Sequence, residues 1–372
     1  MALSFLCEEL MVEILSWLPV RSLMQCRCVS KSFKSLISDP SFVKLHLQRS
    51  PNNTNFLIRY RTPKHDFALP CSLRSLLEGP LSDIALKQEE KYKVAGSCNG
   101  LVLLFALSNT SSTRTYKFLL WNPAIRKTFQ VPHYIIPINP NRYDFIKWFG
   151  FGYDNLSDTY KVVIVFEHSM HGSQKLSEVK VCNLGDNNCW RKIQSLPPYD
   201  DLNRSQNSCG VYLNGTLNWI VTTHHISSEL VMISLDLGNE TYTQFLLPRI
   251  FEGHDFRLLH LKDCLSLSFV NSKRNRFCIW QMKEFGNQKS WTPLLNLSLR
   301  QDLQITSKYL SFVQPLCMFE NGCLLVISST TTLQAIIYDG RDNTVKHSKL
   351  TNKIFQVYAM NYVQSLVFPR TY

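Results

Sequence analysis

No run of this 372-residue chain is long and apolar enough to cross a bilayer, which takes roughly 18–20 uninterrupted residues. This excludes a helical membrane span. There is no Cys-x-x-Cys pair among the 12 cysteines, which argues against a structural zinc site. A basic start is missing too: the chain reaches Glu8 and Glu9 after only a few apolar residues. That reads against a secretory signal, so the cysteines are expected to be reduced thiols in the cytoplasm, the nucleus or both. Glycine is scarce, 14 in all, and no glycine-rich phosphate loop is formed. Gly210 and Gly215 have the spacing of the two ends of such a loop, but Thr216 stands where its lysine belongs. A Gly-x-Ser-x-Gly nucleophile elbow is absent. The histidines are scattered, and the adjacent His224 and His225 would point to opposite faces of a strand. Nothing here assembles a catalytic, cofactor or metal constellation. Acidic residues are the minority: 28 against 40 Lys and Arg, for a net charge of +12. Such a field favours an acidic protein partner and disfavours a basic one. Nucleic acid is the other anionic candidate. However, the basic residues are dispersed, and the densest group, Lys273, Arg274 and Arg276, lies between two strand-like runs as a solvated hairpin tip.

What is there begins with a dense apolar cluster in the first fifty residues. Glu8 and Glu9 suit the positive end of a helix dipole. Leu10, Ile14 and Leu18 recur at helical spacing, with Met11 and Leu15 beside them, until Pro19 stops the helix. Ser22 and Ser30 are placed to cap second and third helices. Asp39-Pro40 reads as the cap and first position of a fourth, carrying Phe42, Val43, Leu45 and Leu47. Four short helices cannot bury so many large side chains among themselves. The spare faces either dock on a partner or cap the chain's own larger domain.

After Pro51 helical periodicity fades. Short runs rich in Val, Ile, Phe, Tyr and Leu alternate with Asn, Gly, Asp and Pro clusters, the pattern of an all-β domain. A short helix is expected near 72–77. A weak repeat opens at Asn99-Gly100, Asn214-Gly215 and Asn321-Gly322, dipeptides suited to tight hairpins. Later turns follow at Trp121-Asn122-Pro123, Asp236-Leu237-Gly238 and Tyr338-Asp339-Gly340. Half-units run over 179–197 and 277–295. Four strands per unit fit propeller blades. About six blades are expected, the last built from the strand Asn55–Tyr60 and the terminal run Tyr358–Phe368. A pair of β-sandwiches is the competing layout. Asp154 and Asp158 are spaced as in part of a calcium loop. Without further acidic ligands they read as a turn bonded to its own backbone.

The N-terminal segment resembles an F-box, on Glu8-Glu9-Leu10, Glu13-Ile14-Leu15, Leu18-Pro19-Val20, Ser22-Leu23, Arg27-Cys28-Val29-Ser30-Lys31-Ser32 and Leu36-Ile37-Ser38-Asp39-Pro40-Ser41-Phe42. The remainder is similar to the F-box-associated, kelch-like domain of the plant family that includes the S-locus F-box proteins and related defence regulators. Its carriers are Gly96-Ser97-Cys98-Asn99-Gly100-Leu101, Trp121-Asn122-Pro123, Gly150-Phe151-Gly152-Tyr153-Asp154 with Asp158-Thr159-Tyr160-Lys161, Gly210-Val211-Tyr212 with Leu217-Asn218-Trp219, Trp280 to Gly286 with Trp291, and Tyr362 to Leu366.

The resemblance implies an α+β chain of two domains, a helical module over 1–48 and a propeller-like domain over 49–372. It implies a non-catalytic receptor of an SCF-type ubiquitin ligase, with no cofactor. A Skp-type adaptor, and through it the cullin and RING subunits, are the implied partners. The adaptor-facing positions carried over are Leu10, Ile14, Leu15, Leu18, Pro19, Leu23, Val29 and Leu36. Three departures stand out: Cys7 where the family usually has proline, Gln25-Cys26 where an arginine often precedes the Arg-Cys pair, and Phe33 where tryptophan is usual. The missing proline predicts looser adaptor binding.

Overall fold

The computed structural model describes residues 7–49, 55–61, 66–77, 86–87, 92–139, 142–170, 176–185, 189–197, 209–222, 230–249, 256–271, 274–305, 312–329, 332–352 and 356–369. Four helices come first: α1 (Glu8–Leu15), α2 (Val20–Cys26), α3 (Lys31–Ser38) and α4 (Pro40–Arg49). Cys7 is the N-cap of α1 with φ −64°, the value a proline ring would impose, and makes no side-chain cap bond. The Ser30 hydroxyl accepts the Phe33 N–H at 3.1 Å. Asp39 accepts Ser41 N–H at 2.8 Å ahead of Pro40 and α4. Two expectations are corrected. First, α1 ends at Leu15 rather than running to Leu18, which sits on a turn with its N–H on Leu15 O at 3.0 Å. Second, Ser22 caps nothing: α2 starts at Val20, because extended Pro19 with its fixed φ leads straight into the helix.

The β-domain is six four-stranded antiparallel sheets. The first blade holds β1 (Asn55–Arg61), β2 (Asp66–Ser72) and β3 (Leu86–Lys87), with the expected short helix α5 (Leu73–Leu77) between the last two. The second holds β4 (Lys93–Cys98), β5 (Leu101–Asn109), β6 (Thr113–Asn122) and β7 (Lys127–Pro137). The third holds β8 (Arg142–Asp154), β9 (Thr159–Met170), β10 (Leu176–Leu184) and β11 (Trp190–Ile193). The fourth holds β12 (Val211–Leu213), β13 (Thr216–Thr222), β14 (Leu230–Asp236) and β15 (Tyr242–Leu246). The fifth holds β16 (Phe256–Leu261), β17 (Cys264–Asn271), β18 (Arg276–Met282) and β19 (Trp291–Ser298). The sixth holds β20 (Phe312–Met318), β21 (Leu324–Ser329), β22 (Thr332–Asp339) and β23 (Thr344–Asn352).

The last strand, β24 (Gln356–Tyr362), completes the first blade by pairing with β1 from Asn55↔Tyr362 to Arg61↔Gln356. Strands from the two ends of the domain thereby close the ring, which protects its edges. Two of the three Asn-Gly dipeptides are hairpin turns with both residues at positive φ, 51° and 81° at Asn99-Gly100 and 45° and 82° at Asn214-Gly215, whereas at Asn321-Gly322 only the glycine is, at 86°.

Blades grip one another through apolar side chains and through close backbone approach. A Cβ on Gly150 would lie 2.6 Å from Leu217 and 2.9 Å from the Trp219 ring of the fourth blade. One on Gly152 would meet Tyr212 and Leu237. The glycines flanking Phe151 thus serve the contact between blades rather than the pairing within one. Past β24 the chain lies against the Asn99-Gly100 turn, where the Ser365 hydroxyl donates to Asn99 O at 2.7 Å. A Cβ on Gly100 would collide with Val363 O and Ser365. Gly100→Ala should therefore strain a positive-φ position and displace the closing segment. The expected cost is about 2 kcal/mol or more, read as a drop of several degrees in Tm by calorimetry. An unchanged Tm would show that the segment adds nothing to closure.

Candidate functional site

In an antiparallel blade, the turns after the first and third strands share one rim, and the turn after the second faces the opposite rim. The helical module sits on the former. Leu15, Val20, Leu23, Ile37 and Phe42 form one buried cluster with Ile125, of the β6–β7 turn, and with Leu366. Val43 and Leu47 of α4 pack on the adjoining core of the second and third blades. Asn122, fully buried, explains the Trp-Asn-Pro motif. Its Nδ2 donates to Ser365 O at 3.0 Å and Val367 O at 2.7 Å, and its Oδ1 accepts Ala124 N–H at 2.9 Å. One amide thus ties the third-to-fourth strand turn to the segment that carries Leu366. Lys44 adds an ion pair to Asp158 at 2.5 Å, with both side chains about half exposed and correspondingly weak.

Four large apolar side chains of the module are left exposed. Leu10 is 44% exposed, Ile14 50%, Trp17 56% and Val29 67%. The spacing of 10, 14 and 17 sets the first three in one stripe along α1 and its terminal turn. Of the residues expected to meet an adaptor, Leu10, Ile14, Pro19 and Val29 are exposed, and Leu18 and Leu36 are half-buried. Leu15 and Leu23 are corrected: they are 7% and 0% exposed, inside the apolar cluster that the helices form with Ile125 and Leu366. They hold the module to its seat and offer no area to a partner.

Trp17 was missed by the family positions, although the i+7 spacing from Leu10 would have found it. It is held in place. Its Nε1–H reaches Glu13 Oε1 at 3.3 Å, and the Arg49 guanidinium lies 5.4 Å from the ring centroid while bonding Glu13 Oε2 at 2.5 Å. The Arg49 bond, followed by the Trp17 bond, holds the Glu13 carboxyl below its usual pKa. A tryptophan fixed before binding loses little side-chain freedom on contact.

Beneath this face lies His46, 0% exposed, with Nε2 at 2.9 Å from Leu18 O. The neutral ring donating from Nε2 satisfies that carbonyl, while Nδ1 has no hydrogen-bond partner. Burial lowers the His46 pKa, outweighing the opposing effect of the Leu18 bond. The unfolded chain therefore binds the proton more readily. Stability from this group is complete above about pH 6.5 and is lost as pH falls towards the depressed folded value. The Tm of the wild type should fall more steeply from pH 7.5 to 5.5 than that of His46→Gln. Parallel curves would remove His46 from the acid response.

Elsewhere among the described residues, Cys71, Cys98, Cys182 and Cys317 are buried in the core of the propeller. Burial pushes the thiols of Cys71, Cys182 and Cys317 up to about 12, and that of Cys98 higher still, so they stay protonated and poorly nucleophilic. Among the described residues there is no group of three or more His, Cys, Asp or Glu that could hold a metal. None of the described helices is long and apolar enough to cross a membrane. Asp154 accepts Leu156 N–H at 2.8 Å and Ser157 N–H at 3.3 Å, so the suspected calcium spacing is a self-bonded turn. His224 and His225 lie outside the described residues.

Comparison with known proteins gives two family matches. Residues 3–45 match the F-box domain, and residues 70–368 match the F-box associated beta propeller domain. The F-box/kelch-repeat protein At3g23880 of Arabidopsis thaliana is 31% identical over 304 residues, covering 78% of each chain. The F-box protein CPR1 of the same plant is 26% identical over 333 residues, covering 83% of this chain and 76% of its own. Among solved structures, a mutant of AofleA from Arthrobotrys oligospora covers 84% of this chain and 90% of that one, at 9% identity and a TM-score of 0.43.

Proposed function

Because this chain belongs to the plant F-box proteins with an F-box-associated β-propeller domain, we propose that it is the substrate-recognition subunit of an SCF-type ubiquitin ligase. The observation that carries this reading is the stripe of Leu10, Ile14 and Trp17 with Val29, left exposed on a module whose other apolar face is already covered. Covering half-exposed side chains of this size contributes roughly 1 kcal/mol each or more, which offsets part of the cost of association. The Skp-type adaptor docks on this face, and the cullin and RING subunits follow through it. Cys7 holds a proline-like φ without a proline ring. The backbone start that the family proline presets is thus adopted here at an extra ordering cost.

The propeller presents a target protein, acidic rather than basic given the net charge of +12. No residue of this chain performs chemistry. Recruitment raises the effective concentration of target lysines near activated ubiquitin. The complex works in the cytoplasm, the nucleus or both. The test is purification of the tagged full-length chain from plant cells with the proteasome blocked. The adaptor should co-purify in near-stoichiometric amount. Its absence at physiological salt would overturn the reading.

A further inference from the structure

We propose that the rim opposite the helical module carries a built anion-recognition surface for an acidic segment of the target protein, centred on Arg274, Arg276 and Arg300. This rests on the receptor reading and names the side of the propeller that does the recognising. Arg274 and Arg276 belong to the β17–β18 hairpin, whose tip carries Asn275 at φ 53°. That hairpin joins the second and third strands of its blade, so it points away from the rim on which Ile125, Leu366 and Asp158 seat the helices. Arg276 stands opposite Ser298 in the sheet, and the Leu299 N–H donates to Asn275 O at 3.0 Å, which brings Arg300 beside the tip. Lys273 precedes the pair in sequence and lies outside the described residues.

Two features separate this group from ordinary surface charge. Arg276 is aimed: its Nε donates to Asn296 Oδ1 at 2.9 Å and one Nη to Asn296 O at 2.8 Å, leaving the rest of the fork free for a carboxylate. Arg274 and Arg300 are exposed, and no carboxylate pairs with any of the three among the described residues. The nearby Asp302 is engaged with the Ser298 N–H at 2.6 Å. In the third blade the opposite holds. Lys147, Lys161, Lys180, Arg191 and Lys192 all have carboxylate partners. Arg274, Arg276 and Arg300 therefore stand without a carboxylate partner among the described residues, on the rim left open by the docking module. Arginine forks at one hairpin fit a short run of Asp and Glu. A nucleic acid would need a longer basic stripe.

The test uses the full chain and a fluorescein-labelled peptide of ten glutamates, followed by anisotropy at physiological salt. The double variant Arg274→Glu and Arg300→Glu should weaken binding on the order of tenfold or more, and the milder Arg274→Gln and Arg300→Gln by an intermediate factor. Lys262→Glu with Lys289→Glu makes the same charge change on the turns of the other rim of the same blade and should alter binding less than twofold. Equal losses in both pairs would reduce the effect to net charge and overturn the proposal, as would no loss in either. So would an oligothymidylate that outcompetes the peptide through the same two arginines. Adaptor pull-down on the arginine variants should match wild type. If wild type captures no adaptor while the peptide result holds, the receptor reading fails and the anion surface stands.

Discussion

Ile14→Asp is expected to weaken capture of the Skp-type adaptor by on the order of a hundredfold or more, with the fold intact. Ile14 is half exposed in the centre of the stripe, between Leu10 and Trp17. Covering its remaining apolar surface is worth roughly 1–1.5 kcal/mol. A carboxylate pressed against an apolar partner surface costs a few kcal/mol more unless it is bonded. The sum of about 3 kcal/mol is a factor of about 100 in Kd. Calorimetric titration of the purified chain with adaptor measures it, and Tm should hold within about 2 °C. Leu23→Ala is the contrasting variant. Leu23 is 0% exposed in the cluster shared with Ile125 and Leu366. Its truncation should cost about 2–5 kcal/mol of stability and lose adaptor only through loosening of the module. Should Ile14→Asp bind as wild type does, the docking face lies elsewhere.

Lys161→Met should destabilise the propeller strongly. Lys161 is 4% exposed in its side chain. It bonds Asp154 at 2.9 Å within its own blade, and Glu240 at 2.9 Å and Leu237 O at 2.6 Å in the next. Arg191 closes the network on Glu240 at 2.7 Å. Removing the ammonium leaves Asp154, 2% exposed in its side chain, as an uncompensated buried charge, at about 3–5 kcal/mol.

The pH dependence identifies the cause. Burial alone would raise the Asp154 pKa, yet bonds from Ser157 and Lys161 hold it below the usual value; Arg191 foremost, then Lys161, does so for Glu240. Carboxylates with depressed pKa values contribute stability that is present above their unfolded pKa, roughly 4, and lost as pH falls through the folded value. In Lys161→Met the Asp154 carboxyl loses that support, so protonation relieves the buried charge. The stability gap between variant and wild type, from urea melts, should therefore narrow from pH 7 to pH 5. A gap that stays constant would point to lost packing rather than lost charge.

Local signals made much of this legible. Asp39-Pro40 and Ser30 start helices through bonds to residues two and three positions away. Asn-Gly turns mark hairpins because only those residues take their backbone angles cheaply. The joining of Asn55–Tyr60 to the terminal run follows from a repeat that is short of strands at both ends. Ser22 misled because its cap chemistry was read without Pro19, which had already set where the helix begins.

The sequence by itself determined the helical module and the blade repeat, because hairpin turns, caps and periodicity act between near neighbours, and a repeat short of strands at both ends implied the closure of the ring. Which apolar residues remain for a partner was decided only by the tertiary structure. Helical spacing puts Leu15 and Leu23 on the list as readily as Ile14. Their packing in the cluster that the helices share with Ile125 and Leu366 removes them and leaves Leu10, Ile14, Trp17 and Val29 outside. The pairing of Lys161 with Glu240 and the meeting of Arg300 with the Arg274 hairpin belong to the same class. Each depends on segments far apart in the chain, whose positions are fixed by packing between blades and by no local preference.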